Sequence, residues 1–143
     1  MKGVRYLKSQ EGPFEVNRTL RQEYFKTLKT QIGINIGYDL QITPKGILLF
    51  SLRAEFISGN DKIARYSVMC VYATTDELNM SDGEIVNSSW FNNCSEEVVG
   101  YFRGSFSVLS KNTPAEGINL FNISIDELKS HVKITRIKEL TYA

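Results

Sequence analysis

The chain has 143 residues, 42% hydrophobic and 23% charged, with 17 basic side chains against 16 acidic ones. Such a length suits a single domain over residues 1–143 with one core, and the composition excludes wholesale disorder. A net charge of +1 gives no long-range field toward nucleic acid or an anionic membrane, and no window approaches the ~20 apolar residues of a membrane-spanning helix.

Residues 1–13 are polar, end in Glu11-Gly12-Pro13 and read as a flexible N-terminal arm. Their charged start lacks the apolar centre of an export signal, so the expected compartment is the cytoplasm, with Cys70 and Cys94 as reduced thiols. Phe14-Glu15-Val16 alternates like extended chain, and Leu20, Tyr24 and Leu28 then fit an irregular or helical segment. From Ile32 to Ile42 every even position is apolar, while the odd ones carry only Gly, Asn, Asp and Gln, the signature of a strand with one buried face. Thr43-Pro44-Lys45-Gly46 supplies a turn. Leu48, Phe50, Leu52, Ala54 and Phe56 continue the alternation, Ser58-Gly59-Asn60-Asp61 turns the chain again, and Ala64, Tyr66, Val68, Cys70 and Tyr72 complete three strands sharing one apolar face.

A polar crossover, 74–83, carries isolated Leu78 and Met80, and the segment after it holds Trp90 and Phe91. Ser95 before Glu96-Glu97 predicts a helix start, and Val98, Val99, Phe102, Phe106 and Leu109 give that helix an apolar stripe to about Lys111, with Pro114 beyond. Gly100 and Gly104, four apart within it, suggest close approach of another backbone or sheet. Ser124-Ile125-Asp126-Glu127 is a capping pattern opening a last helix through Val132, and residues 133–143 extend that helix or fray. The expected fold class is α+β, an antiparallel meander with one face covered by a long amphipathic helix and a C-terminal helix.

Catalytic chemistry finds little to work with. His131 is the only histidine, which removes most triads and His-rich metal sites. A Cys94–His131 pair has no surrounding motif, and the carboxylate pairs at Asp76-Glu77, Asp82/Glu84, Glu96-Glu97 and Asp126-Glu127 all sit where capping or solvation explains them. There is no phosphate-cradling glycine loop and no zinc spacing, so no cofactor or metal is expected and a non-enzyme is favoured. The alternatives are a small α+β enzyme using Cys94, or an adaptor bound to one fixed partner.

The run Val98-Val99-Gly100-Tyr101-Phe102-Arg103-Gly104-Ser105-Phe106 resembles the long helix of SecB, the bacterial protein-export chaperone, and of its wider SecB-like family. Ile118-Asn119-Leu120-Phe121-Asn122-Ile123-Ser124-Ile125-Asp126-Glu127-Leu128 resembles that family's passage into its last helix, and the similarity of pattern spans about Phe14 to Val132. The resemblance implies an ATP-independent chaperone that assembles as a dimer or tetramer and holds non-native or dedicated client proteins in apolar grooves beside the crossover. By position, Leu78, Met80, Trp90 and Phe91 would line the groove. SecB is acidic and docks its motor SecA through acidic residues on the outer sheet face, whereas this chain is neutral, which favours a dedicated client. Gly33, Asn35 and Gly37 leave the outer face of the first meander strand flat and weakly polar, so that strand suits pairing with a copy of itself; Gly100 and Gly104 are the other interface candidates.

Overall fold

A computed structural model describes residues 3–19, 32–76, 78–118, 120 and 123–137. The helical reading of Leu20, Tyr24 and Leu28 falls outside them. Among the described residues the elements are β1 (Arg5–Glu11), β2 (Glu15–Val16), β3 (Gly33–Ile42), β4 (Ile47–Ser58), β5 (Asp61–Ala73), α1 (Asp82–Val86), α2 (Ser89–Leu109), α3 (Ile125–His131) and β6 (Lys133–Arg136). They form an α+β fold whose sheet has the order β1-β5-β4-β3-β6, with β2 also on β5.

The meander β3-β4-β5 forms where the alternation placed it. Thr43 closes the first turn, its N–H donating to the Ile47 carbonyl at 3.0 Å and its hydroxyl accepting from the Ile47 N–H at 3.0 Å. Gly46 takes a φ of 79°, and a Cβ there would lie 2.1 Å from the Thr74 carbonyl, so the turn requires glycine. Along β4 every even residue from Leu48 to Ser58 is buried. The β4–β5 register shifts after Phe56, and the added residue lets neighbours Ile63 and Ala64 both turn inward, which strict alternation did not foresee.

Helix α2 covers the even face with Trp90, Phe91, Cys94, Ser95, Val98, Val99, Phe102 and Phe106. Two aromatic groups weld the layers: Phe91 against Tyr38 and Phe50, and Phe102 and Phe106 against Tyr66. Buried edge-to-face and offset rings of this kind contribute ~0.5–1.5 kcal/mol per pair beyond their area.

Four expectations need correction. The N-terminal arm is a strand: β1 pairs antiparallel with β5 from Arg5↔Ala73 to Glu11↔Val68, and Phe14 packs on Tyr66 and Phe106. Its polar sequence is that of an edge strand, whose backbone pairing does not need buried side chains. Residues 132–136 do not extend the helix; Val132 is already extended, and β6 pairs parallel with β3 from Asp39↔Lys133 to Ile42↔Arg136, while residues 138–143 lie outside the described residues. Ser95 is no helix start. The helix begins at Ser89, and Ser95 is fully buried, its hydroxyl 2.7 Å from that of Tyr38. Finally, among the described residues no backbone or sheet approaches Gly100 or Gly104. Both lie on the exposed side of α2, and a Cβ on either would meet nothing within 4 Å.

Candidate functional site

The four predicted groove residues separate into two pairs. Phe91 is fully buried between Tyr38 and Phe50, and Trp90 is 5% exposed with its ring against Phe91. Both are core residues, because α2 starts six residues earlier than its Ser-Glu-Glu signal and carries them on its inner face. Leu78 and Met80 remain half-buried, packed on the edge of the core.

Leu78 lines a cleft of about 690 Å³ between the first meander turn, the crossover and the end of β6. Its apolar surface comes from Ile42, Pro44, Leu78 and Ile137, and its polar surface includes Lys45, Asp76 and Arg136. Parallel pairing of β6 with β3 puts Arg136 beside Ile42, and the Ile137 N–H donates to the Ile42 carbonyl at 2.9 Å. From there Arg136 reaches back to the crossover: Nη1 lies 2.7 Å from Asp82 Oδ1, and Nη2 donates to the Met80 carbonyl at 2.7 Å. The opposite wall is tied down by Thr74, whose N–H donates to the Gly46 carbonyl at 2.8 Å and whose hydroxyl accepts from the Asp76 N–H at 3.1 Å. The sequence signal for the strand that delivers Arg136 is the short alternation Val132-Lys133-Ile134-Thr135, which ends before Arg136 itself.

The outer sheet face carries a second concavity of about 470 Å³, lined in part by Pro13, Asn35, Gly37, Arg53, Glu55 and Arg65. Its arginines are paired, Arg53 with Asp39 at 3.0 Å and Arg65 with Glu15 at 2.8 Å. Arg65 holds the Glu15 carboxyl below its ordinary range, but both partners are solvent-exposed, where such pairs contribute little. A Cβ on Gly37 would lie 2.6 Å from Arg53 Nη2, so the guanidinium rests across that glycine. Gly33, Asn35 and Gly37 thus share a face near the β3 edge, and Gly100 and Gly104 lie on a different element.

The residues considered for catalysis fall elsewhere. Cys94 is 4% exposed, and burial, with Glu97 nearby, pushes its thiol up to about 12. Burial likewise pushes up the Cys70 thiol, which lies 3.3 Å from the Ser9 hydroxyl. A thiol kept protonated is a poor nucleophile. His131 is exposed in the last turn of α3. Glu84 completes a capping box with Ser81, Glu127 donates its N–H to the Ser124 hydroxyl, and Glu97 accepts a 2.7 Å hydrogen bond from Tyr72. Burial and that bond together push the Tyr72 phenol up. Among the described residues no group of three His, Cys, Asp or Glu side chains is arranged to hold a metal, and no helix is long and apolar enough to cross a membrane.

No protein-family model matches the chain, and no curated protein matches it. Among solved structures, a SecB-like chaperone of Mycobacterium tuberculosis, in complex with a ChAD peptide from the HigA1 antitoxin, is similar over 76% of this chain and 78% of its own, at 8% identity and a TM-score of 0.44. A protein of unknown function from Streptococcus agalactiae is similar over 76% and 87% respectively, at 8% identity and a TM-score of 0.40. At such scores neither likeness assigns this chain an activity.

Proposed function

We propose that the protein is an ATP-independent, SecB-like chaperone that holds an extended, partly apolar segment of a non-native or dedicated client protein. The observation that carries this reading is the crossover cleft, where the half-buried Leu78, with Ile42 and Ile137, forms an apolar wall beside the cationic Lys45 and Arg136. An apolar client side chain laid on that wall leaves water at ~25 cal/mol per Å² buried, a driving force that needs no nucleotide. The buried positions of Cys94 and Cys70 weaken the enzyme alternative by removing its best nucleophile from reach.

The test is suppression of aggregation of a denatured protein diluted into buffer without nucleotide. The wild-type chain is expected to suppress light scattering at stoichiometric amounts, and Leu78→Lys to lose most of that effect while keeping its circular dichroism spectrum. Scattering unchanged by the wild-type chain would refute the chaperone reading. Suppression equally strong with Leu78→Lys would move the client to another surface. Pull-down then distinguishes a general chaperone, which retains many unfolded proteins, from an adaptor holding one partner in fixed ratio.

A further inference from the structure

Edge strand β1 is held differently from the strands of the meander. It pairs with β5 from Arg5↔Ala73 to Glu11↔Val68, with a register shift between Tyr6 and Lys8, but every side chain except that of Ser9 is exposed. Burial therefore adds little, and the strand is attached by backbone hydrogen bonds and two inward contacts. The Tyr6 ring stands edge-on to Tyr72 at 5.7 Å, and the Ser9 hydroxyl lies 2.7 Å from that of Tyr6 and 3.3 Å from the Cys70 thiol. Beneath β1 the pattern is reversed. Val68-Met69-Cys70-Val71-Tyr72 is apolar on both faces, as in the interior of a sheet, and Cys70, Val71 and Tyr72 are buried. The ends of β1 are well marked. Val4, just before it, packs half-buried on the core. Beyond Glu11 the Gly12 N–H donates to the Ser67 carbonyl at 2.8 Å, Pro13 has no N–H to continue the ladder, and Phe14 packs edge-on against Tyr66 and Phe106 at 5.8 Å from each.

We propose that β1 is a strap that opens as a unit about Gly12-Pro13 while Phe14 and β2 stay in place, baring the Cys70 thiol and the edge of β5 from Val68 to Ala73. Opening releases the β1 backbone bonds, the Tyr6 and Ser9 contacts and Val4. It leaves intact the aromatic groups that join α2 to the meander, Phe91 on Tyr38 and Phe50, and Phe102 and Phe106 on Tyr66. Such a sub-global opening lies below global unfolding in free energy and exposes far less surface. Its consequence follows from the composition of β5. The closed strap presents charged Arg5, Lys8 and Glu11 at the edge of the sheet, whereas the bared edge is uncharged and apolar on both faces, a template for an extended chain. The strap thus guards a pairing surface that the closed fold withholds. It lies at the opposite edge of the sheet from β6, and it stands independently of the chaperone reading.

The two cysteines supply the test, since both are buried free thiols, Cys70 beneath β1 and Cys94 on the inner face of α2. The wild-type chain is treated with iodoacetamide in native buffer, mass spectrometry follows each cysteine separately, and each rate is divided by that of the same cysteine in the urea-unfolded chain. Cys70 is expected to react about tenfold faster than Cys94 or more, because it needs only the local opening. Its rate should also rise less steeply with added urea, since that slope follows the surface exposed. Tyr6→Ala, at an exposed position, is expected to speed Cys70 about three- to tenfold by removing the ring contact, and to leave Cys94 unchanged. Hydrogen exchange of the same variant should quicken at Arg5–Glu11 and stay as slow as in the wild type through β3 and β4. Equal normalised rates with equal urea slopes would overturn the proposal, because β1 would then open only with the whole fold. Fast Cys70 labelling indifferent to Tyr6→Ala would overturn it by showing that the reagent enters by another route.

Discussion

Two hydroxyls that meet inside the core, those of Tyr38 and Ser95, bind sheet to helix at 2.7 Å. Tyr38 is 2% exposed and Ser95 fully buried, so neither has ready access to water as a substitute partner. Ser95→Ala is expected to cost about 1–3 kcal/mol, because the phenol keeps its burial and loses its bond. Tyr38→Phe should cost less, since a helical serine can turn its hydroxyl back onto a carbonyl of the preceding turn. The double variant should then cost less than the sum of the two, and urea unfolding of all four proteins measures the difference. Strict additivity would mean the two hydroxyls are not coupled. The same residue shows how a correct local rule misleads: serine before two glutamates has the chemistry of a cap, but burial of Trp90 and Phe91 continues the helix backward through it. Trp90 and Phe91, expected by position to line the groove, lie on that inner face and are buried.

At the level of elements, legibility followed the apolar pattern. Strands β3, β4 and β5 and the C-terminal helix were readable because each has one side that must be buried, and turn or cap residues mark their ends. Strands β1 and β6 were not, because they are attached by backbone pairing along sheet edges and most of their side chains face water. One wall of the candidate cleft, Arg136 and Ile137, follows from β6 and is not legible without that strand. Its bonds to Asp82 and the Met80 carbonyl hold the crossover against the sheet, but the charged pair is substantially exposed and contributes modestly to global stability. Arg136→Ala is therefore expected to lower unfolding free energy by less than about 1 kcal/mol while hydrogen exchange accelerates selectively at the start of α1, around Asp82–Ile85. Exchange unchanged there would show that the crossover is held by Leu78 and Met80 packing alone. A uniform acceleration across β3–β5 would mean instead that the residue acts on the whole fold.

For the molecule as a whole, the buried polar groups on the interior face of the sheet set how folding responds to alkali. Tyr38, Tyr72 and, across from them on α2, Cys94 are all buried, and burial pushes all three upward from ordinary values of 10.0, 10.0 and 9.0. A group whose native pKa is raised holds its proton in the folded chain after the unfolded chain has released it. The unfolded state then binds fewer protons, so stability falls as pH rises, beginning near the unfolded values and continuing toward the native ones. For Cys94 that window runs from about 9 to about 12; for the two tyrosines it opens near 10. Each group adds a slope of up to about 1.4 kcal/mol per pH unit. Urea unfolding is expected to show stability that falls progressively more steeply as pH rises above 9. Tyrosinate absorbance of the native protein should lag that of the unfolded chain over the same range. Cys94→Ala should reduce the earliest part of the decline, to which the buried Cys70 thiol also contributes, and leave the tyrosine limb in place. A native protein whose tyrosines all ionise near pH 10 without loss of stability would show that water reaches Tyr38 and Tyr72, and with it that α2 does not seal the sheet as a single packed layer.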